Sequence, residues 1–274
     1  MMKKRIFLRF PEGRAKALTF SYDDNVVDNK KLIEILDRYG MKATFNLNSG
    51  IYGDNARYLT EEEVTSLFAD SPHEVALHSF SHPFLAQMPA GLAVGELFRD
   101  REALEAQFGR IVRGMAYPNN SYNDDVVEAL RACGVVYART THTTERFDLP
   151  EDWLRLPATC HHNNPRLMEL ADKFIERSSV YAPSLFYVWG HAYEFEDNGN
   201  WNVIEEFAKK LAPHADDVWF ATNIEIYEYV EAYYRLVFSL DGRLVHNPTA
   251  RTLYFSYNKT PFAIAPGETR HLDP

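Results

Sequence analysis

Short apolar runs alternate with amphipathic stretches that end at glycine along most of the 274 residues, the pattern of a βα repeat feeding a parallel sheet. The apolar runs fall at 15–22, 42–48, 74–79, 112–118, 135–140, 153–160, 185–191 and 218–223. Between them, the helical stretches 29–40, 95–109 and 123–134 close at Gly40, Gly109 and Gly134, each suited to the left-handed position after a helix. A capping box, Thr60 with Glu63, opens another at 61, and stretches at 165–179 and 202–214 complete the set. Seven or eight such units without any G-x-G-x-x-G phosphate loop point to an α/β fold of the (β/α) barrel type, not an open doubly wound sheet. The barrel is expected over residues 1–236. After a last helix at 223–236 the pattern changes to short β segments, so 237–274 reads as a small β appendage that begins with a hairpin, Asp241-Gly242 forming a type I′ turn.

Charge narrows the partners. Against 39 Asp and Glu stand 29 Lys and Arg, a formal charge of -10, which repels nucleic-acid phosphates and anionic lipid surfaces. No run of residues approaches the ~18 apolar positions of a membrane span, and the first residues lack the apolar stretch of a signal peptide. A cytoplasmic location is the expectation, with no nucleic-acid or membrane partner and the oligomeric state open. Cys133 and Cys160 are too few for a disulfide framework. The aromatic share of 14% would fill the core and leave some rings to stack on sugars.

In parallel barrels the chemistry sits at the C-terminal ends of the strands. Asp23 and Asp24 follow the first run, His78 and His82 the third, Tyr117 the fourth, His161 the sixth and His191 the seventh. Two histidines four apart, as in "HSFSH", are either a metal clamp or ordinary surface residues, and spacing alone leaves both open. A carboxylate on the same rim would complete a three-ligand site with room for water or substrate.

The ordered motifs "LTFSYDDN", "HSFSH", "MAYPNNSYND" and "VWGHAYEF" resemble the NodB-homology polysaccharide deacetylases, carbohydrate esterase family 4, over about residues 15–225. The resemblance implies Asp24, His78 and His82 as ligands of a divalent metal, zinc first, with Co2+, Ni2+ or Fe2+ also suited to such a set. It implies Asp23 as general base, His191 as general acid, the Tyr117 backbone N–H as an oxyanion donor, and an aspartate that keeps His191 charged, for which "FDLPEDWLRL" offers Asp148 and, in preference, Asp152. The fold implied is a distorted (β/α) barrel of about seven strands, and the activity implied is removal of N-acetyl groups from an amino sugar, oligosaccharide or polysaccharide. O-deacetylation, hydrolysis of a small amide, or silent carbohydrate binding would use the same residues, and an iron oxygenase shares the ligand set but not the scaffold. The sequence departs from the family where an arginine orients the base: Met115 or Ala116 stands in its place. Asn46, Asn48, Glu194 and Glu196 are further candidates for polar contact with a sugar, while His161 and His162 could touch substrate or metal. His73, His142, His214, His246 and His271 read as surface histidines.

Overall fold

The computed structural model describes residues 5–178 and 181–272. An opening strand β1 (Ile6–Arg9) precedes β2 (Lys16–Asp23), β3 (Thr44–Leu47), β4 (Glu74–Leu77), β5 (Gly114–Ala116), β6 (Tyr137–Thr143), β7 (Leu156–Ala158), β8 (Cys160–His161), β9 (Ser184–His191) and β10 (Val218–Phe220). From β2 to β10 all ladders are parallel, in the order β7-β6-β5-β4-β3-β2-β9-β8. Leu156 of β7 lies opposite Arg139 of β6, and two residues past its end Cys160 of β8 lies opposite Val188 of β9. Residues 156–161 thus serve as one bent strand that closes the ring between β6 and β9. Seven staves result, with β10 beside the first three residues of β2.

The intervening helices are α1 (Asn29–Arg38), α2 (Glu61–Phe68), α3 (Ala90–Phe108), α4 (Asp124–Ala132), α5 (Leu167–Glu176), the short α6 (Tyr193–Asp197), α7 (Asn202–Leu211) and α8 (Asn223–Tyr234). In α7 the buried positions Ile204, Phe207, Ala208 and Leu211 repeat at helical spacing, so one stripe meets the sheet. The expected glycine stops hold: Gly40, Gly109 and Gly134 have φ of 65°, 61° and 69°. The Thr60–Glu63 capping box is formed. Of the stretch 165–179, Leu167–Glu176 is helical, and Ser179 lies outside the described residues.

Both faces of β2 are buried, for different reasons. Leu18, Phe20 and Tyr22 join the apolar layer between sheet and helices, together with Leu36 and Phe207. Thr19, Ser21 and Asp23 alternate with them and point into the barrel, where they meet polar partners: Asn223, Asn46 and Arg139. The barrel interior is therefore a polar column, and the helical layer supplies most of the apolar burial.

The N-terminal ends of the strands are covered by α8. Asn223 donates to the Tyr187 hydroxyl at 2.7 Å and accepts from Thr19 at 2.8 Å, and the Ile224 N–H donates to Glu74 at 2.9 Å. Behind α8 lie β11 (Val237–Phe238), β12 (Leu244–His246), β13 (Leu253–Tyr257), β14 (Thr260–Ile264) and β15 (Thr269–His271). They form two small antiparallel sheets, β11-β12-β15 and β1-β13-β14. The segment 237–272 thus packs with the first strand of the chain, since β1 pairs with β13 over four residues, and shares an apolar cluster of Leu8, Phe10, Tyr229, Phe255 and Ile264. The hairpin between β11 and β12 is not type I′: only Gly242 has positive φ, 63°, and its N–H closes a turn onto the Ser239 carbonyl at 2.7 Å. Asp241 instead uses its carboxylate to accept from the Ser239 hydroxyl and the Arg243 N–H. Among the described residues no helix is long and apolar enough to cross a membrane.

Candidate active site

Asp24, at the end of β2, and His78 and His82, beyond β4, converge on one point. Oδ1 of Asp24 lies 3.8 Å from Nε2 of each histidine. Such separations suit three donors on one ion about 2 Å from each, with positions left open. The tautomer of His78 agrees: its Nδ1 donates to the Ala116 carbonyl at 2.8 Å, leaving Nε2 toward Asp24, and burial lowers its pKa, which favours the neutral ring. Nδ1 of His82 faces the Asn119 amide at 3.4 Å, and an amide can present either its oxygen or its nitrogen there. Asp24 and His82 both hold left-handed backbone, φ 71° and 57°, a conformation costing a non-glycine residue on the order of 1 kcal/mol. The donor set, one carboxylate and two imidazoles, fits zinc or another borderline divalent metal.

Asp23 stands beside this group. Its Oδ2 lies 3.9 Å from Nε2 of His78 and 3.8 Å from Nε2 of His191. Burial by itself would raise its pKa, but the Arg139 guanidinium bonded to Oδ2, with His78 and His191 nearby, holds it at about 2. Its other oxygen accepts from Asn46 at 2.9 Å. Arg139 is 1% exposed, lies against the Trp189 ring at 4.5 Å and projects from β6. In the β5–β6 ladder Ala116 lies opposite Arg139. An arginine thus reaches Asp23 from β6, at the position paired with Ala116 of the "GMAYP" strand.

The floor of the site is closed by buried side-chain amides. Asn46 and Asn48 are fully buried and spend their amides on Asp23, Ser21 and the His78 and Ser79 carbonyls, so neither meets a sugar. Asn25, next to the paired aspartates, exchanges hydrogen bonds with the Asn48 backbone. Asp100, from α3, accepts from Ser49 and from the His78 N–H, fixing the loop that carries both histidines; burial pushes its pKa up to about 7.

Two expected assignments do not match the geometry. Asp152 caps the turn at 153–155, accepting from the Leu154 N–H, and its carboxylate pairs with Arg155. The carboxylate at His191 is Glu194, whose Oε1 lies 3.2 Å from Nδ1. A chain running into a turn before β7 directs Asp152 to its own backbone, whereas the first turn of α6 brings Glu194 back beneath His191. The Tyr117 N–H donates to the Arg139 carbonyl at 3.0 Å, and its hydroxyl donates to Leu154. The β5–β6 ladder thus takes the N–H expected to face an oxyanion.

His161 and His162 both lie with Nε2 3.0 Å from Oε2 of Glu194. Together these three form a second group of ligating side chains among the described residues. His162 is buried between Tyr22 and Phe195, which pushes its pKa down to about 4, and its ring occupies the space a Cβ on Gly190 would need. His73, expected at the surface, is 1% exposed and accepts from the Ala43 N–H.

Comparison with known proteins bears on this site. Residues 11–138 match the polysaccharide deacetylase family model. A protein of Bacillus subtilis (strain 168), the uncharacterized protein YlxY, is 25% identical over 99 residues, 36% of this chain and 29% of that protein, so the match spans less than a third of the relative's length. A Mycobacterium smegmatis crystal structure assigned as a polysaccharide deacetylase superposes with a TM-score of 0.65 at 20% identity, covering 83% of this chain and 94% of that one. A family 4 carbohydrate esterase from Streptomyces lividans, solved in complex with acetate, superposes at 0.52 with 16% identity over 75% and 92%. At these identities the structures speak for the fold, and the matched segment 11–138 contains Asp23, Asp24, His78 and His82 but not His191. Over residues 11–138 the chain is similar to the polysaccharide deacetylases, and its fold is that of the solved family 4 carbohydrate esterases on which it superposes.

Proposed function

We propose that the protein is a metal-dependent de-N-acetylase of an N-acetylated amino sugar or of a glycan containing one. The observation that carries this is the facing pair of Asp23 and His191, 3.8 Å apart, beside the Asp24, His78 and His82 group. A divalent cation held by those three would act as a Lewis acid on the acetamide carbonyl and lower the pKa of water toward neutrality.

The remaining work falls to side chains. Asp23, kept ionised by Arg139, accepts a proton from the water that attacks the carbonyl carbon. His191, whose pKa is raised by Glu194, Asp23 and Asp24 against the effect of burial, gives the proton on Nε2 to the departing amine. Water oxygen ends in acetate, and the sugar leaves as the free amine. An amine leaves poorly without that proton, so a positioned cationic acid supports amide cleavage. Arg139, paired with Asp23, supplies a guanidinium where the "GMAYP" strand has none, which favours turnover over silent sugar binding.

The test is acetate release from N-acetylglucosamine oligomers by zinc-loaded protein. Turnover by the parent and a loss of 10²-fold or more in Asp23→Asn is expected. Equal release by the variant would overturn the assignment of the base.

A further inference from the structure

Glu194 is a single carboxylate with three imidazoles directed at it, from β8, the residue after β8, and the end of β9. Two readings compete. His161, His162 and Glu194 have the composition of a metal site. The tautomer of His161 decides against it: its Nδ1 accepts the Asn163 N–H at 3.1 Å, so the ring proton sits on Nε2, where it faces Glu194 as a donor and not as a ligand lone pair. His162, 0% exposed, approaches the same oxygen from the other side, wedged against Gly190. His161 thus presents its N–H toward Oε2, Nε2 of His162 lies at the same 3.0 Å, and Oε1 is left for Nδ1 of His191.

We propose that Glu194 is the positioning residue of His191: its Oε1 accepts a hydrogen bond from Nδ1–H, while Nε2 of His161 and of the buried His162 confine Oε2 at 3.0 Å, so that His191 Nε2 faces Asp23 and the ligand group. This inference rests on the deacetylase reading for the use to which His191 is put, but not for the arrangement itself. Other charged or titratable groups face the same imidazole: Asp23 at 3.8 Å from β2, Asp24 beyond it, and the Tyr193 ring at 5.1 Å from α6. Arg139 lies behind Asp23 and Arg57 lies over Tyr193, each directed at its own carboxylate partner, Asp23 and Asp197. Among these, Glu194 is the one bonded to the ring nitrogen that fixes the tautomer. The signal in sequence is slight, a glutamate three residues after a strand-end histidine, together with two adjacent histidines at the end of the neighbouring strand.

Glu194→Gln keeps the shape and removes the charge. In zinc-loaded protein, nitrogen-15 NMR of the histidine rings should show His191 titrating above its ordinary range in the parent and at least one pH unit lower in the variant. The kcat for acetate release should fall on the order of 10- to 100-fold with KM within twofold. His161→Leu, which removes one anchor and leaves Glu194 in place, should move the His191 titration in the same direction by less. An unchanged His191 titration in both variants would overturn the proposal, as would a second zinc per chain that is lost in His161→Leu. Acetate release with no change in His191 would defeat the positioning role alone, whereas a shifted His191 in a protein that releases no acetate would defeat the deacetylase reading and leave the arrangement standing.

Discussion

Two carboxylates buried inside the same barrel, one at each end, reach opposite states. Asp23, at the C-terminal end of β2, is bonded to a guanidinium and kept at about 2. Glu74, at the N-terminal end of β4, is bonded to the Tyr137 and Thr44 hydroxyls and the Ile224 N–H, and burial pushes its pKa up to about 7. Both are hydrogen-bonded and both are out of water. What separates them is that Asp23 has a cation as partner and Glu74 only neutral dipoles, and neutral donors do not offset the cost of removing a charge from water. One end of the column is built to hold a base ionised, and the other to join β4, β6 and α8 through a carboxyl group that is readily neutral.

The largest break in this contrast comes from Arg139→Gln. It leaves the Asp23 charge buried without its cation, and urea unfolding at pH 7 should show a loss of roughly 3–5 kcal/mol. An effect under 1 kcal/mol would mean that Asp23 is not ionised there. Next is Glu74→Gln. Because the folded-state pKa of Glu74 is raised, the folded chain keeps a proton that the unfolded chain gives up between about pH 4.5 and 7, so the parent loses stability as pH rises through that window. Removing the group should improve stability at pH 8 relative to pH 4 by roughly 3 kcal/mol compared with the parent. Asp100, raised to about 7, contributes a slope of the same sign and is untouched by the substitution.

Asp23 works the other way. Its lowered pKa supplies stability that is present above pH 4 and is lost as the pH falls toward 2, so acid unfolding of chelator-treated protein should lose about 2 kcal/mol from this group, a term absent in Asp23→Asn. The smallest effect is expected at a carboxylate in neither network. Asp152→Ala should cost about 1 kcal/mol through the lost cap and leave acetate release within twofold; a large loss of turnover would return Asp152 to the site.

The contrast also separates what could be read in the sequence. The βα repeat, the glycine stops and the strand-end placement of Asp23, Asp24, His78, His82 and His191 follow from local periodicity, because each depends on neighbours within one unit. Closure by 156–161 was less visible, since a six-residue stretch changes partner at Thr159. The pairing of β1 with β13 joins residues some 250 apart, and no local pattern encodes it. In the site, partners across strands were missed. Arg139 was a lone charge in the apolar run "VVYART", a signal of an interior ion pair, but its partner depends on which strand lies beside β5. The Tyr117 N–H was lost to the same ladder, and Glu194 reads as a loop residue until α6 turns it under His191.

The central claim is that an arginine displaced by one strand holds the base of a deacetylase. Acetate release from N-acetylglucosamine oligomers by zinc-loaded parent, Arg139→Ala and the exchange Ala116→Arg with Arg139→Ala tests it most directly. The account predicts turnover by the parent, a loss of 10²-fold or more in Arg139→Ala, and partial recovery when the guanidinium is returned to the paired position on β5. A parent that releases no acetate, or an Arg139→Ala protein as active as the parent, would contradict it.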